Sequence, residues 1–69
     1  MKDIAEVIRK KIESSGMKQK AVAEKIGTDP VILSAMLNKR RKIYATDFIK
    51  LCLFLGLTID DFTDKEKEN

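Results

Sequence analysis

The stretch Lys18–Lys42, KQKAVAEKIGTDPVILSAMLNKRRK, decides the fold. In its first part Ala21, Val22 and Ile26 recur at helical spacing, Ala23 is small, and Gly27 stops the run. That pattern predicts a helix over about 18–26. Only Thr28 and Asp29 separate it from the next helix. Asp29 is a good N-cap, and Pro30 falls at the first helical position, where a missing N–H costs nothing. Ile32, Leu33, Met36 and Leu37 are the apolar positions of this second run, which is expected over about 29–38. Four cations, Lys39-Arg40-Arg41-Lys42, follow it directly.

The flanks read as helices too. Asp3 followed by Glu6 resembles a capping box, and Ile4, Ala5, Val7, Ile8 and Ile12 then recur along one side until Ser14-Ser15-Gly16 ends the run. After the basic loop, a helix starting within Tyr44–Thr46 carries Phe48, Ile49, Leu51, Cys52, Leu53 and Leu55 up to Gly56. It is apolar nearly all round, which makes it the expected centre of the core. Thr58 and Asp61 repeat the capping-box pattern and open a short fifth helix with Ile59 and Phe62. No strand pattern or internal repeat interrupts this series. The expectation is an all-α, five-helix domain over 1–63 with a polar tail over 64–69.

Composition narrows the function. A chain of 69 residues is one domain that buries only about 60% of its unfolded surface, so a catalytic cleft would compete with the core for apolar side chains. The chain has no His and a single cysteine, Cys52, and therefore neither a base to activate a thiol nor a nitrogen ligand near it for a metal. No enzyme activity, cofactor, metal or small-molecule ligand is expected, and Cys52 reads as a small buried residue in a reducing cytosol. No apolar run reaches the roughly 18 residues of a membrane span, and no signal-peptide core follows Met1. A cytoplasmic protein is expected.

Charge points to the partner. Residues 1–57 carry twelve Lys/Arg against six Asp/Glu, whereas residues 58–69 carry two against five. A basic body with an acidic tail suits a polyanion met by one face. Two short helices joined by a turn of about three residues in a basic helical domain describe a helix-turn-helix. In that motif the first helix braces on the phosphate backbone and the second enters the major groove of a DNA duplex.

At this point the sequence resembles the Cro/C1-type (XRE-like) helix-turn-helix family. The resemblance lies in Gln19, Ala23, Gly27, Pro30, Leu33, Ser34, Met36, Asn38 and the Lys39–Lys42 loop, with Phe48, Leu51, Leu55-Gly56 and Thr58–Phe62 matching the family's closing segment. It covers roughly Ile4 to Phe62 and implies a lambda-repressor-like DNA-binding fold. Carried over by position, it implies that Gln19 clamps a phosphate and that Pro30, Val31, Ser34 and Ala35 face base edges. Asn38 and the run Lys39, Arg40, Arg41 and Lys42 are expected on phosphates. Lys10, Lys11, Lys18, Lys20 and Lys25 are further candidates for that footprint.

Departures from the family pattern carry their own expectations. Val31 and Ala35 stand where polar readers are usual, and neither can make the bidentate hydrogen bonds that identify guanine or adenine. Reading is therefore expected to rest on thymine methyls, on DNA shape and on Arg40 or Arg41. Lys39 replaces the usual Gly after the third helix, so either that helix ends differently or a left-handed Lys is tolerated at about 1 kcal/mol. Lys18 stands in place of the Ser or Thr that caps the second helix, and Ile43-Tyr44 in place of Pro-Ser before the fourth.

The resulting expectation is a transcriptional regulator, repressor-like, that binds a short palindromic operator as a homodimer. Tyr44, Phe54, Leu57, Ile59 and Phe62 supply the apolar surplus for pairing, with Phe54 and Leu57 foremost. The rival reading is a protein-interaction module of the same fold, such as an antitoxin-like partner, which the apolar Val31, Ile32 and Ala35 favour.

Overall fold

Asp3 starts the first helix: its Oδ1 accepts the Glu6 N–H at 3.2 Å, satisfying one of the amides that a helix start leaves free. In the computed structural model, which describes residues 1–64, helix α1 spans Ile4–Ser15 and α2 spans Gln19–Ile26. Helix α3 spans Pro30–Leu37 and α4 spans Ala45–Leu55. Asp29 caps α3 through its Oδ1, which accepts the Val31 N–H at 2.7 Å. Lys18 and Tyr44, at the starts of α2 and α4, provide no such bond.

The described residues thus hold four α-helices, where five were expected. The fifth element, Ile59–Phe62, is a single 3₁₀ turn. Its capping box is formed, with the Thr58 N–H donating to Asp61 Oδ2 at 2.7 Å. Four residues bounded by extended backbone at Thr58 and Thr63 are too few to close an α-helical repeat. The turn still anchors Phe62, whose buried ring meets Phe48 at 5.1 Å between centroids. The Lys2 N–H donates to the Phe62 carbonyl at 3.0 Å, joining the start of the domain to its last turn.

The core lies between the helices rather than along α4. Ile8 on α1, Val22 and Ala23 on α2, Leu33 on α3 and Leu51 on α4 are all fully buried. Helices α1 and α2 each pack against both α3 and α4. On α4 only Leu51 and Leu55 are buried, while Ile49, Leu53 and Phe54 are exposed. The expectation that α4 forms the centre is corrected accordingly. A helix packed from one side buries one stripe, here Leu51 and Leu55 with Phe48 and Cys52 half-buried beside them, and Ile49, Leu53 and Phe54 face outward.

Helices α2 and α3 end by the same backbone device. After α2, the Thr28 N–H donates to the Ala23 carbonyl at 2.9 Å and the Gly27 N–H to that of Glu24 at 3.2 Å. After α3, the Arg40 N–H donates to Ala35 at 2.9 Å and the Lys39 N–H to Met36 at 3.2 Å. This paired arrangement needs a left-handed residue at its centre. Gly27 takes it with φ of 77°, and Lys39 takes it with φ of 65°. Lys39 therefore adopts the left-handed conformation that the resemblance associates with a Gly at this position, at a strain of about 1 kcal/mol. Of the polar tail expected over 64–69, only Asp64 is described; 65–69 lie outside the described residues.

Candidate nucleic-acid interface

The turn between α2 and α3 sets which side of α3 is turned outward. Leu33, Met36 and Leu37 point into the core. The opposite side carries Val31, 76% exposed, with Pro30, Ser34 and Ala35 half-buried beside it. These four residues, expected at base edges, line one shallow concavity, and Arg40 forms part of its wall. Ile32, by contrast, is half-buried and packs against the core.

The polar groups of this face are partly engaged with one another. The Asp29 carboxylate is held as the α3 cap, and Asn38 Nδ2 donates to Ser34 Oγ at 3.3 Å. Of the four outward residues, Val31 is the most exposed. The surface offers an apolar contact, one hydroxyl and a neighbouring guanidinium.

The expected phosphate ligands lie at the start of α2 and in the segment after α3. Gln19 is half-buried at the first position of α2. Because Lys18 lends no side-chain cap, the amides of the first turn of α2 are open to an external acceptor, such as a phosphate oxygen. Asn38, Arg40, Arg41 and Lys42 are exposed. Among the described residues, Arg40, Arg41 and Lys42 form no ion pair.

Lys39 differs from the other three. Its ammonium pairs with Asp3 Oδ2, across from the start of α1. The two groups shift each other: the hydrogen bond from Lys39 holds the Asp3 carboxyl below its usual value, and that bond raises the Lys39 ammonium above its own. The basic loop consequently runs beside the N-terminal segment, and Lys39–Ile43 share a groove with Met1–Ala5. The local sequence marks Lys39 as unusual, but its partner is far along the chain and no spacing rule connects them.

Residues 8–62 match the model of a helix-turn-helix family, the Cro/C1-type (XRE-like) domains. The chain belongs to this family. Its members are DNA-binding transcription regulators, and the helix-turn-helix of α2 and α3 lies wholly within the matched residues. No curated protein and no solved structure matches the chain. The family thus accounts for the fold and the class of target, while the outward side of α3 in this member is largely apolar.

A second exposed surface was only partly foreseen. Ile49, Leu53 and Ile59 are 54%, 79% and 70% exposed and line a groove with Phe48, Cys52 and Leu57. Of the residues expected to mediate pairing, Tyr44 and Ile59 are exposed, and Phe54 is so at its margin. Leu57 and Phe62 are buried and belong to the core, Phe62 because the 3₁₀ turn packs on α1 and sets its ring against Phe48. The all-round apolar character of α4 was the available signal for Ile49 and Leu53. Among the described residues no helix is long and apolar enough to cross a membrane.

Proposed function

We propose that the protein is a repressor-type regulator that binds a short palindromic operator as a homodimer, with α3 in the major groove. The observation that carries this reading is the outward side of α3, where Pro30, Val31, Ser34 and Ala35 adjoin Arg40. Ala35 and Val31 pack against thymine methyls, Ser34 makes one hydrogen bond, and Arg40 reaches a base or an adjacent phosphate. Gln19 and the open first turn of α2 hold one phosphate, and Asn38, Arg41 and Lys42 hold the strand on the other side. In this reading the protein is cytoplasmic and meets its operator there. Repression needs only occupancy of the promoter, which such a domain supplies.

Pairing follows from contact area. A single module of this kind buries roughly 600–1,000 Å² on DNA, and two modules on half-sites about 34 Å apart double it. The exposed apolar patch formed by Ile49, Leu53 and Ile59 is the surface we assign to the partner copy. Unlike the α3 face, it is not bordered by the basic loop.

Selection of bound sites from random duplexes tests the reading. Enrichment of one T-containing motif repeated in two-fold symmetry supports it. Recovery of unenriched sequences overturns specific operator binding. The exposure of Val31 favours one competitor, a protein-masking module, which would instead yield a stoichiometric protein complex and no salt-sensitive duplex binding.

A further inference from the structure

Lys39 and Asp3 are each fixed by the backbone before they meet. The two hydrogen bonds that close α3 hold the Lys39 backbone in its left-handed conformation, and from there its side chain reaches Asp3 at the start of α1. Asp3 divides its oxygens: Oδ1 accepts from the Glu6 N–H as the α1 cap, and Oδ2 takes the ammonium. An exposed ion pair usually loses much of its Coulombic gain to the ordering of two free side chains. Here the carboxylate is already ordered by its capping role. The remaining members of the cationic run, Arg40, Arg41 and Lys42, have no such partner among the described residues.

We infer that Asp3 is a positioning residue that withholds Lys39 from the phosphate footprint, so that the basic loop meets DNA with three free cations. The inference rests on the DNA-binding reading above and deepens it by removing one of the four adjacent cations from the contact set. Asp3 serves as an internal anion in the place a phosphate oxygen would otherwise take, and it tempers non-specific affinity.

The test is binding of the full chain to a short duplex of arbitrary sequence, measured by fluorescence anisotropy across a range of salt concentrations. Counterion release is independent of sequence and adds roughly 0.9 to the slope of log K against log salt for each phosphate contact. Asp3→Asn keeps the α1 cap, since Asn caps as well as Asp. It should steepen the slope by about 0.9 and tighten binding roughly eightfold near 0.1 M salt, the gain that this slope implies relative to 1 M. In a Lys39→Ala protein the same Asp3→Asn change should leave the slope unaltered.

An unchanged slope for Asp3→Asn, with salt-dependent binding by the parent protein, overturns this inference alone. Steepening that persists in the Lys39→Ala background also overturns it, because Asp3 would then act by its own charge and not through Lys39. Absence of salt-dependent binding by the parent protein overturns both this inference and the DNA-binding reading.

Discussion

The protein exposes apolar side chains in two places, and their surroundings differ. On α3, Val31 projects beside Ser34 and Arg40, with Arg41 and Lys42 close behind in sequence. On α4 and the following turn, Ile49, Leu53 and Ile59 form a patch around Cys52 and Leu57. Exposed hydrophobic groups alone mark a contact surface without naming the partner. The neighbouring charge separates the two cases. An apolar group beside the basic loop suits a methyl-bearing base framed by phosphates, whereas the α4 patch, which meets Lys25 and Lys50 at its Leu53 edge but not the basic loop, suits another protein surface.

The comparison breaks most visibly at Ala35. Ala35→Glu places a carboxylate in the reading face, where phosphates would repel it, and like-charge apposition costs several kcal/mol. Specific duplex binding should fall by more than about 100-fold in anisotropy titrations, with the helical circular dichroism retained. Full binding by this variant would remove α3 from the DNA interface.

Leu53→Glu is the matching change on the other surface. Leu53 is 79% exposed, so its replacement should leave the fold intact and be seen as a monomer in sedimentation equilibrium. Loss of the second half-site contact should lower affinity for a palindrome by about tenfold or more, while a half-site is bound as before. Equal losses on half-site and palindrome would place Leu53 outside the pairing surface.

The smallest effect sharpens the role of Val31. Replacing thymine by deoxyuridine within the selected motif removes only a methyl group. It should cost about 1 kcal/mol, or roughly fivefold in Kd, at the position under Val31 and little elsewhere. The Val31→Ala protein should lose that discrimination. Equal tolerance of deoxyuridine at every position would leave DNA shape as the basis of reading.

The parts of this account that were legible in the sequence are those governed by local rules. Gly27, Asp29 and Pro30 lie within a few residues of the helix ends they control, and the turn they announce is present. Leu33 and Met36 are inside and Val31 outside, a division that the family resemblance implied and that periodicity alone does not give in so apolar a helix. Lys39 at the usual Gly position left two outcomes open, a different helix end or a left-handed Lys, and the backbone takes the second.

What could not be read depends on contacts distant in sequence. A helix as uniformly apolar as α4 has no periodicity from which to divide buried Leu51 and Leu55 from exposed Ile49 and Leu53. Phe62 and Leu57 looked available for pairing because nothing local shows the 3₁₀ turn folding beneath α1. The Asp3–Lys39 pair joins the first helix to the end of the third, so only the fold reveals it.

The central claim is that α3 lies in a duplex groove flanked by cations on phosphates, and salt dependence tests it most directly. Log K should be measured against log salt for the selected duplex and for a scrambled one, with the parent protein and with Arg40→Ala/Arg41→Ala. The account predicts a steep slope for both duplexes, an offset favouring the selected one, and a slope reduced in the double variant by about 0.9 if Arg40 reads a base and by about 1.8 if it holds a phosphate. A slope near zero for the parent protein, or one that the double variant leaves unchanged, would contradict it.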